Sequence, residues 1–280
     1  MGIDPSGAHV LFGSPEAQRD VPTDSAGISY LQTGALLSGE GGNAVAAGDG
    51  ILLFIQGKEA LSGGMARAGG GILALVHEDG FVSLYSGETF LPNQASAELM
   101  ARGSAIGSLP PASGSAVPKY LLRVFDGASG LWVNPAFFMP GLQDKAPPRI
   151  EELALLGRQG RYYIAENLKR GTQRIPQGDY TLAVRIVDPL YSKGAVSGIF
   201  RLKILLDGQI VSDRKFDSAR ITAQGLSFLE LEAPSSKIVD DEGRLVLGTQ
   251  FIARGTHILE FFAYDFAGNA GSFMWKFSAE

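Results

Sequence analysis

Cysteine is absent from the 280-residue chain, and histidine occurs only three times, at His9, His77 and His257. The first absence excludes disulfide frameworks, iron–sulfur clusters, thiolate nucleophiles and cysteine zinc sites. The scarcity of histidine leaves any imidazole-dependent metal or acid–base site with three side chains to draw on. A net charge of −5 offers no basic footprint for nucleic acid. No apolar run approaches the ~18 residues needed to cross a bilayer. The opening Met1-Gly2-Ile3-Asp4-Pro5 lacks the basic and then apolar pattern of a secretory leader. It reads as a remnant of expression cloning, so a native signal or anchor is expected to have been removed.

What the chain has in excess is glycine, with 37 residues, about twice the usual share of roughly 7%. Of these, 24 lie before position 146, and the formal charge divides as −6 before that point and +1 after it. Between the halves lies Pro140-Gly141-Leu142-Gln143-Asp144-Lys145-Ala146-Pro147-Pro148, whose paired prolines make a stiff, extended connection. Two domains are therefore expected, over residues 8–142 and 147–280.

The first half reads as short strands broken by glycine turns. Gly50–Ile55 and Gly71–His77 are apolar runs, and His77-Glu78-Asp79-Gly80 reverses the second into Phe81–Tyr85, an Asp-Gly hairpin signal. Tyr120–Phe125 and Leu131–Val133 flank another turn. One helical stretch is expected, at Gln94–Ala101. Trp132 and Trp275 are expected in the core. The pairs Gly41-Gly42 and Gly63-Gly64 and the triplet Gly69-Gly70-Gly71 are turns rather than phosphate loops, because no P-loop or dinucleotide pattern surrounds them.

Two stretches, Gly42-Asn43-Ala44-Val45-Ala46-Ala47-Gly48-Asp49-Gly50-Ile51 and Val76-His77-Glu78-Asp79-Gly80-Phe81-Val82-Ser83-Leu84-Tyr85, together resemble the lysostaphin-like (LytM-type) zinc metallopeptidases of peptidoglycan. That family shows G-T-P-V-x-A-A-x-D-G-x-V followed by H-x-D-G-Y-V-T-L-Y-A-H-L. Met100–Gly107 looks like its V-K-x-G-x-x-I-G turn, and Val133-Asn134-Pro135 like its closing V-N-P. The resemblance spans roughly residues 10–140 and implies a β-sheet hybrid-barrel fold of LytM type.

The same resemblance implies a zinc site built from H-x-G-x-D and the second histidine of H-x-H. One alignment sets Gln32 and Leu36 at the first ligand pair, and another sets Ser25 and Ser29 there. Gly87 stands for the histidine of L-Y-A-H-L, and Lys119 and Leu121 stand for the two histidines of P-H-L-H. Every ligand and catalytic position is thus occupied by a residue that cannot do the job, so no metal and no cofactor is expected. The substrate groove would persist as a binding surface lined by Gln32, Leu36, Tyr85, Gly87, Lys119 and Leu121. His77, Asp79 and Gly80 match the family's turn, where the histidine is not a zinc ligand. Glu78, Asp79, Ser86 and Glu88 cluster near this hairpin, but no nucleophile stands at a recognisable spacing from a base.

The second half alternates with period two at Tyr180–Asp188, Ile199–Leu206, Ser227–Leu231, His257–Tyr264 and Gly271–Phe277, with an Asp207-Gly208 turn. Many short strands with frequent turns and no long helix indicate a β-sandwich. Gly255–Ala270 resembles the last hairpin of bacterial immunoglobulin-like modules, G-x-H-x-L-x-x-x-A-x-D-x-A-G-N. Asp265 and Asn269 are expected to bond the turn backbone. As a calcium ligand, Asp265 lacks acidic neighbours in sequence. Lys169, Arg170 and Arg174, near Tyr162 and Tyr163, read as a solvated loop, the alternative being a binding patch for an anionic partner or glycan.

The expected protein is all-β and catalytically inactive: a peptidoglycan-peptidase homologue acting as a binding, scaffold or regulatory protein at the bacterial cell envelope. Its expected partners are peptidoglycan or a cell-wall hydrolase or division protein, and its expected location is extracytoplasmic. The alternatives are a structural or adhesive surface protein, or a hydrolase with rearranged ligands using His77 and Asp79.

Overall fold

Along Lys119–Asp126, buried Tyr120, Leu122 and Val124 alternate with half-buried Leu121, Arg123 and Phe125, the signature of a strand with one face on a core. This strand organises the first of two compact units in the computed structural model. The structure describes residues 9–10, 34–38, 42–57, 70–93, 98–111, 119–139, 144–158, 160–165, 172–189, 196–222, 225–228, 240 and 242–280. The first unit takes in the described residues up to Met139, and the second those from Asp144.

The first unit contains β1 (His9–Val10), β2 (Gly34–Ser38), β3 (Asn43–Val45), β4 (Gly50–Gln56), β5 (Gly71–Val76) and β6 (Phe81–Gly87). They are followed by β7 (Leu91–Pro92), β8 (Leu99–Met100), β9 (Ala105–Ser108), β10 (Lys119–Asp126) and β11 (Leu131–Val133). One edge of β10 carries β2 and β11 end to end, and the other begins the run β10-β6-β5-β4-β8. A small sheet, β3-β9-β7, is separate. Between lies the core of Leu37, Leu73, Leu75, Tyr85, Phe90, Ile106, Tyr120 and Leu122, each at most 2% exposed. Burying one such apolar side chain contributes about 1.5–3 kcal/mol.

The helix expected at Gln94–Ala101 is not formed over its described part. Leu99 and Met100 pair as β8 with Ile51 and Gly50 on β4, and residues 94–97 lie outside the described set. The edge of β4 satisfies the backbone there, which outweighs the local helix preference of alanine, glutamate, leucine and methionine. Trp132 is half-buried against Phe125, with ring centroids 5.2 Å apart, rather than sealed in the core; Trp275 is buried.

The second unit runs β12 (Arg149–Gly157), β13 (Tyr162–Ile164), β14 (Gln173–Ile175), β15 (Gly178–Pro189), β16 (Val196–Ser197) and β17 (Arg201–Leu206). It continues with β18 (Gln209–Lys215), β19 (Ser218–Thr222), β20 (Gly225–Phe228), β21 (Leu245–Ile252), β22 (Gly255–Tyr264) and β23 (Ala270–Ala279). One sheet joins β13, β12, β15, β16 and β21; the other has the order β14-β23-β22-β17-β18. Leu153, Leu155, Leu182 and Val184 from the first and Leu202, Ile204, Phe261 and Phe277 from the second are buried, so the unit is a β-sandwich. Within the expected strand Ser227–Leu231, Ser227 and Phe228 close β20, and 229–231 lie outside the described residues.

Two features hold this sandwich in register. The first is the turn between β17 and β18, where Asp207 and Gly208 both take positive φ (53° and 79°), the type I′ pattern. A non-glycine residue is held in this conformation by three hydrogen bonds to β22. The Ile258 carbonyl accepts from the Asp207 N–H at 2.8 Å, and the Asp207 carboxylate accepts from the Ile258 N–H at 2.8 Å and meets His257 Nδ1 at 2.7 Å. The second is Arg244, which is fully buried. Its guanidinium contacts Asp240 at 2.7 Å, Glu152 at 2.8 Å and Glu242 at 3.0 Å and lies 4.2 Å from the centre of the Tyr162 ring.

Arg244→Ala is expected to destabilise the protein by about 3–5 kcal/mol in urea denaturation, because it strands the carboxylates of Glu152 and Asp240 in a low-dielectric site. Lysine, a point charge without the planar fork, should not restore the loss. His257 supplies a pH dependence. Burial alone would lower its pKa, but the Asp207 bond and charge and the Ala253 carbonyl outweigh it and raise the pKa above the ordinary 6.5. The stabilisation is therefore complete below about pH 6.5 and disappears as pH rises through the raised value. Thermal melts should show Tm falling on that alkaline limb, and His257→Gln should flatten it.

Candidate functional site

The outward face of β10 decides where the sequence-derived groove residues stand. Leu121 is the Cα partner of Leu36 on β2 at one side and of Ser86 on β6 at the other, and Ser86 is in turn opposite Ile72. All four are half-buried, so they form a continuous row on one open face. His9 extends the backbone register beyond Leu36. Lys119 opens β10 opposite Ser38. Gly87 closes β6 opposite Gly71, and a Cβ placed on Gly70 would lie 1.8 Å from the Gly87 carbonyl oxygen, so this corner depends on glycine for the close approach of two backbones. Gln32, Ser25 and Ser29 lie outside the described residues.

Tyr85 does not belong with this row. It is the residue before Ser86, and the strand alternation turns it to the other face, where it is fully buried. Its hydroxyl accepts from the Ala47 N–H at 2.8 Å. Burial pushes the phenol pKa up, against the opposing hydrogen bonds of Ser83 and Ala47.

One charge on the open face escaped the sequence reading. Arg123 stands two residues beyond Leu121, so its side chain shares that face, with Leu84 and Gly34 as its Cα partners. Gly34 leaves space there, since a Cβ on it would come within 3.1 Å of Arg123 Cγ. The Arg123 Nε is buried without a hydrogen-bond partner among the described residues, and burial lowers the guanidinium pKa. A partly desolvated guanidinium of this kind is suited to a carboxylate or phosphate ligand.

A second concentration of polar groups surrounds His77, which follows β5. Its Nδ1 lies 2.7 Å from the Asp49 carbonyl oxygen, which can only accept, so Nδ1 carries the proton. Nε2 then accepts from the Ser83 hydroxyl at 2.8 Å. Together with the Ala47–Tyr85 bond, these contacts tie residues 47 and 49 to the two arms of the hairpin. The sequence showed no nucleophile beside a base because serine and histidine lie on the two arms of one hairpin, six residues apart. A surface depression of about 400 Å³ adjoins His77, Ser83, Asp79 and Phe81. Ser83 itself is only 2% exposed.

Gly80 takes φ 83° at the hairpin tip, and the Asp79 carboxylate accepts from the Phe81 N–H at 3.3 Å, so both residues serve the turn. Glu78 is exposed beside them, as is Glu88 beyond β6. Of the basic group near the tyrosines, Arg174 forms an exposed ion pair with Glu280, and Lys169 and Arg170 lie outside the described residues. Tyr163 packs edge-on against Tyr180, and Tyr162 covers Arg244, so these rings are engaged within the unit.

A family model that carries no functional description matches residues 147–280. The sequence matches no curated protein. Among solved structures, the fibronectin(III)-like modules of CbhA from Clostridium thermocellum are similar at 12% identity, over 72% of this chain and 86% of that one, with a TM-score of 0.23. The solution structure of lysostaphin is similar at 11% identity, over 91% of this chain and 90% of that one, with a TM-score of 0.31. Dimeric latent PorU from Porphyromonas gingivalis is similar at 12% identity over 90% of this chain, which covers 22% of that protein, with a TM-score of 0.28.

Proposed function

We propose that the first unit is a peptidase-like scaffold without a catalytic metal and that the chain acts as a binding, scaffold or regulatory protein at the bacterial cell envelope. Peptidoglycan or a cell-wall hydrolase is its partner. The observation that carries this reading is the register of Leu36 and Leu121. They are directly opposed across two strands, at the positions where the sequence resemblance calls for a zinc-binding aspartate and histidine. Two leucines and the adjacent Ser86 provide no ligand set for zinc, which takes imidazole, thiolate or carboxylate.

Arg123 gives the same face a binding chemistry. Its guanidinium lies beside an apolar row, partly desolvated and without an ionic partner among the described residues. A peptide bearing a free carboxylate next to small apolar side chains complements that surface, and the stem peptides of peptidoglycan have this character. Binding in place of cleavage follows from keeping the face while lacking the metal.

Purified full-length protein should bind isolated sacculi in a co-sedimentation assay, with the bound fraction unchanged by chelator. Arg123→Ala should weaken that binding roughly tenfold, the usual effect of removing one charge-assisted hydrogen bond. Zinc titration should show no stoichiometric tight site in the first unit. Release of cross-linked muropeptides that stops with chelator would overturn the proposal, and absence of sacculus binding would favour a structural surface protein.

A further inference from the structure

Three carboxylates from distant parts of the second unit converge. Asp144 lies just before β12, Asp188 is the next-to-last residue of β15, and Asp265 directly follows β22. One oxygen from each lies within 4.8 Å of the others. Asp188 is 1% exposed and Asp265 3% exposed. The sequence set Asp265 aside as a cation ligand for want of acidic neighbours, yet the fold supplies two from far along the chain.

The hydrogen bonds around this cluster are unevenly distributed. Asp265 is fully engaged: its two oxygens accept from the Asn269 backbone N–H at 2.8 Å and from Asn269 Nδ2 at 2.6 Å. The same Nδ2 reaches the Asp144 carbonyl at 3.0 Å, and the Asp144 carboxylate accepts from the Ala146 N–H at 2.9 Å. Asp188 differs, because both of its oxygens are buried and neither has a hydrogen-bond partner among the described residues. Burial first, and then the charges of Asp265 and Asp144, push its pKa up to about 8; no cation enters that balance. Protonation would remove the charge and still leave the other Asp188 oxygen buried without a donor among the described residues.

We infer that Asp144, Asp188 and Asp265 form a calcium site that staples the two sheets of the second unit. The donor set is all oxygen, which selects a hard cation over zinc or copper. Two oxygens held by one calcium ion at about 2.4 Å lie at most about 4.8 Å apart, and the three carboxylates here place an oxygen each within that limit. The ion would neutralise three like charges and give the Asp188 oxygens the partner they lack. It would also join the end of β15 in one sheet to the β22–β23 turn of the other and to the segment entering β12. Because the unfolded chain does not hold these residues together, calcium binding would add directly to folding stability.

The test uses the full chain after exhaustive chelation and calcium chloride as the probe. Calorimetric titration should give one site in the second unit, and 1 mM calcium should raise Tm by about 4 °C or more over the EDTA control, with magnesium giving a smaller shift. Asp188→Asn should melt in EDTA at or above the wild-type temperature, because it removes a buried repulsion, and should lower calcium affinity tenfold or more. Asp144→Asn, at a more exposed position, is the second variant should Asp188→Asn fail to fold; it should likewise reduce the calcium shift. No heat and no thermal shift in the wild type, an undiminished shift in either variant, or an equal response to magnesium would each overturn the assignment. None of these outcomes depends on what the first unit binds.

Discussion

The first unit depends on β10 being hydrogen-bonded along both edges. β6 occupies one side, while β2 and β11 share the other, and this double pairing leaves no freedom in the register. A slip of one residue would expose Tyr120, Leu122 and Val124 and bury Leu121, Arg123 and Phe125, so the core selects a single alignment. From that alignment the rest follows. Leu36, Leu121 and Ser86 form a row outside, while Tyr85 and Ser83 turn inward to meet Ala47 and His77. The open face and these inward hydrogen bonds are the two sides of one pleat.

The second unit contains two buried charge clusters resolved in opposite ways. Around Arg244, a fixed guanidinium meets Asp240, Glu152 and Glu242, and Arg185 adds a further contact to Glu152 at 3.3 Å. Positive and negative groups there are intermingled by the chain itself. At Asp188 the charged neighbours among the described residues are carboxylates, and the balancing charge is the calcium ion inferred above. Both clusters draw together residues far apart in sequence; the Arg244 cluster ties strands of one sheet to the loop before β21, whereas the three carboxylates come from both sheets.

Local chemistry was the legible part of this fold. The Asp79-Gly80 and Asp207-Gly208 turns, the Asp265–Asn269 loop and the alternation of Tyr180–Asp188 depend on residues close to one another, so their signals survive in one dimension. What depended on pairing partners was not legible. Leu99-Met100 carries a helical composition and became a strand because the edge of β4 was available. Tyr85 belongs to the stretch that resembles L-Y-A-H-L and so stands among the expected groove residues, but the strand alternation turns it into the core. The meeting of Ser83 with His77 needed the hairpin register, and the convergence of Asp144, Asp188 and Asp265 needed both sheets. Arg123 showed no signal at all, because a single arginine in an alternating strand is ordinary until its neighbours are known.

The opposed leucines at 36 and 121 also have an evolutionary consequence. Zinc takes at least three ligands, so one carboxylate or imidazole placed at either position would gain no affinity for it and would set a polar group against an apolar neighbour. Each single substitution toward a metal site is therefore unfavourable, whatever a full ligand set would do. Selection acting one substitution at a time would keep this face apolar.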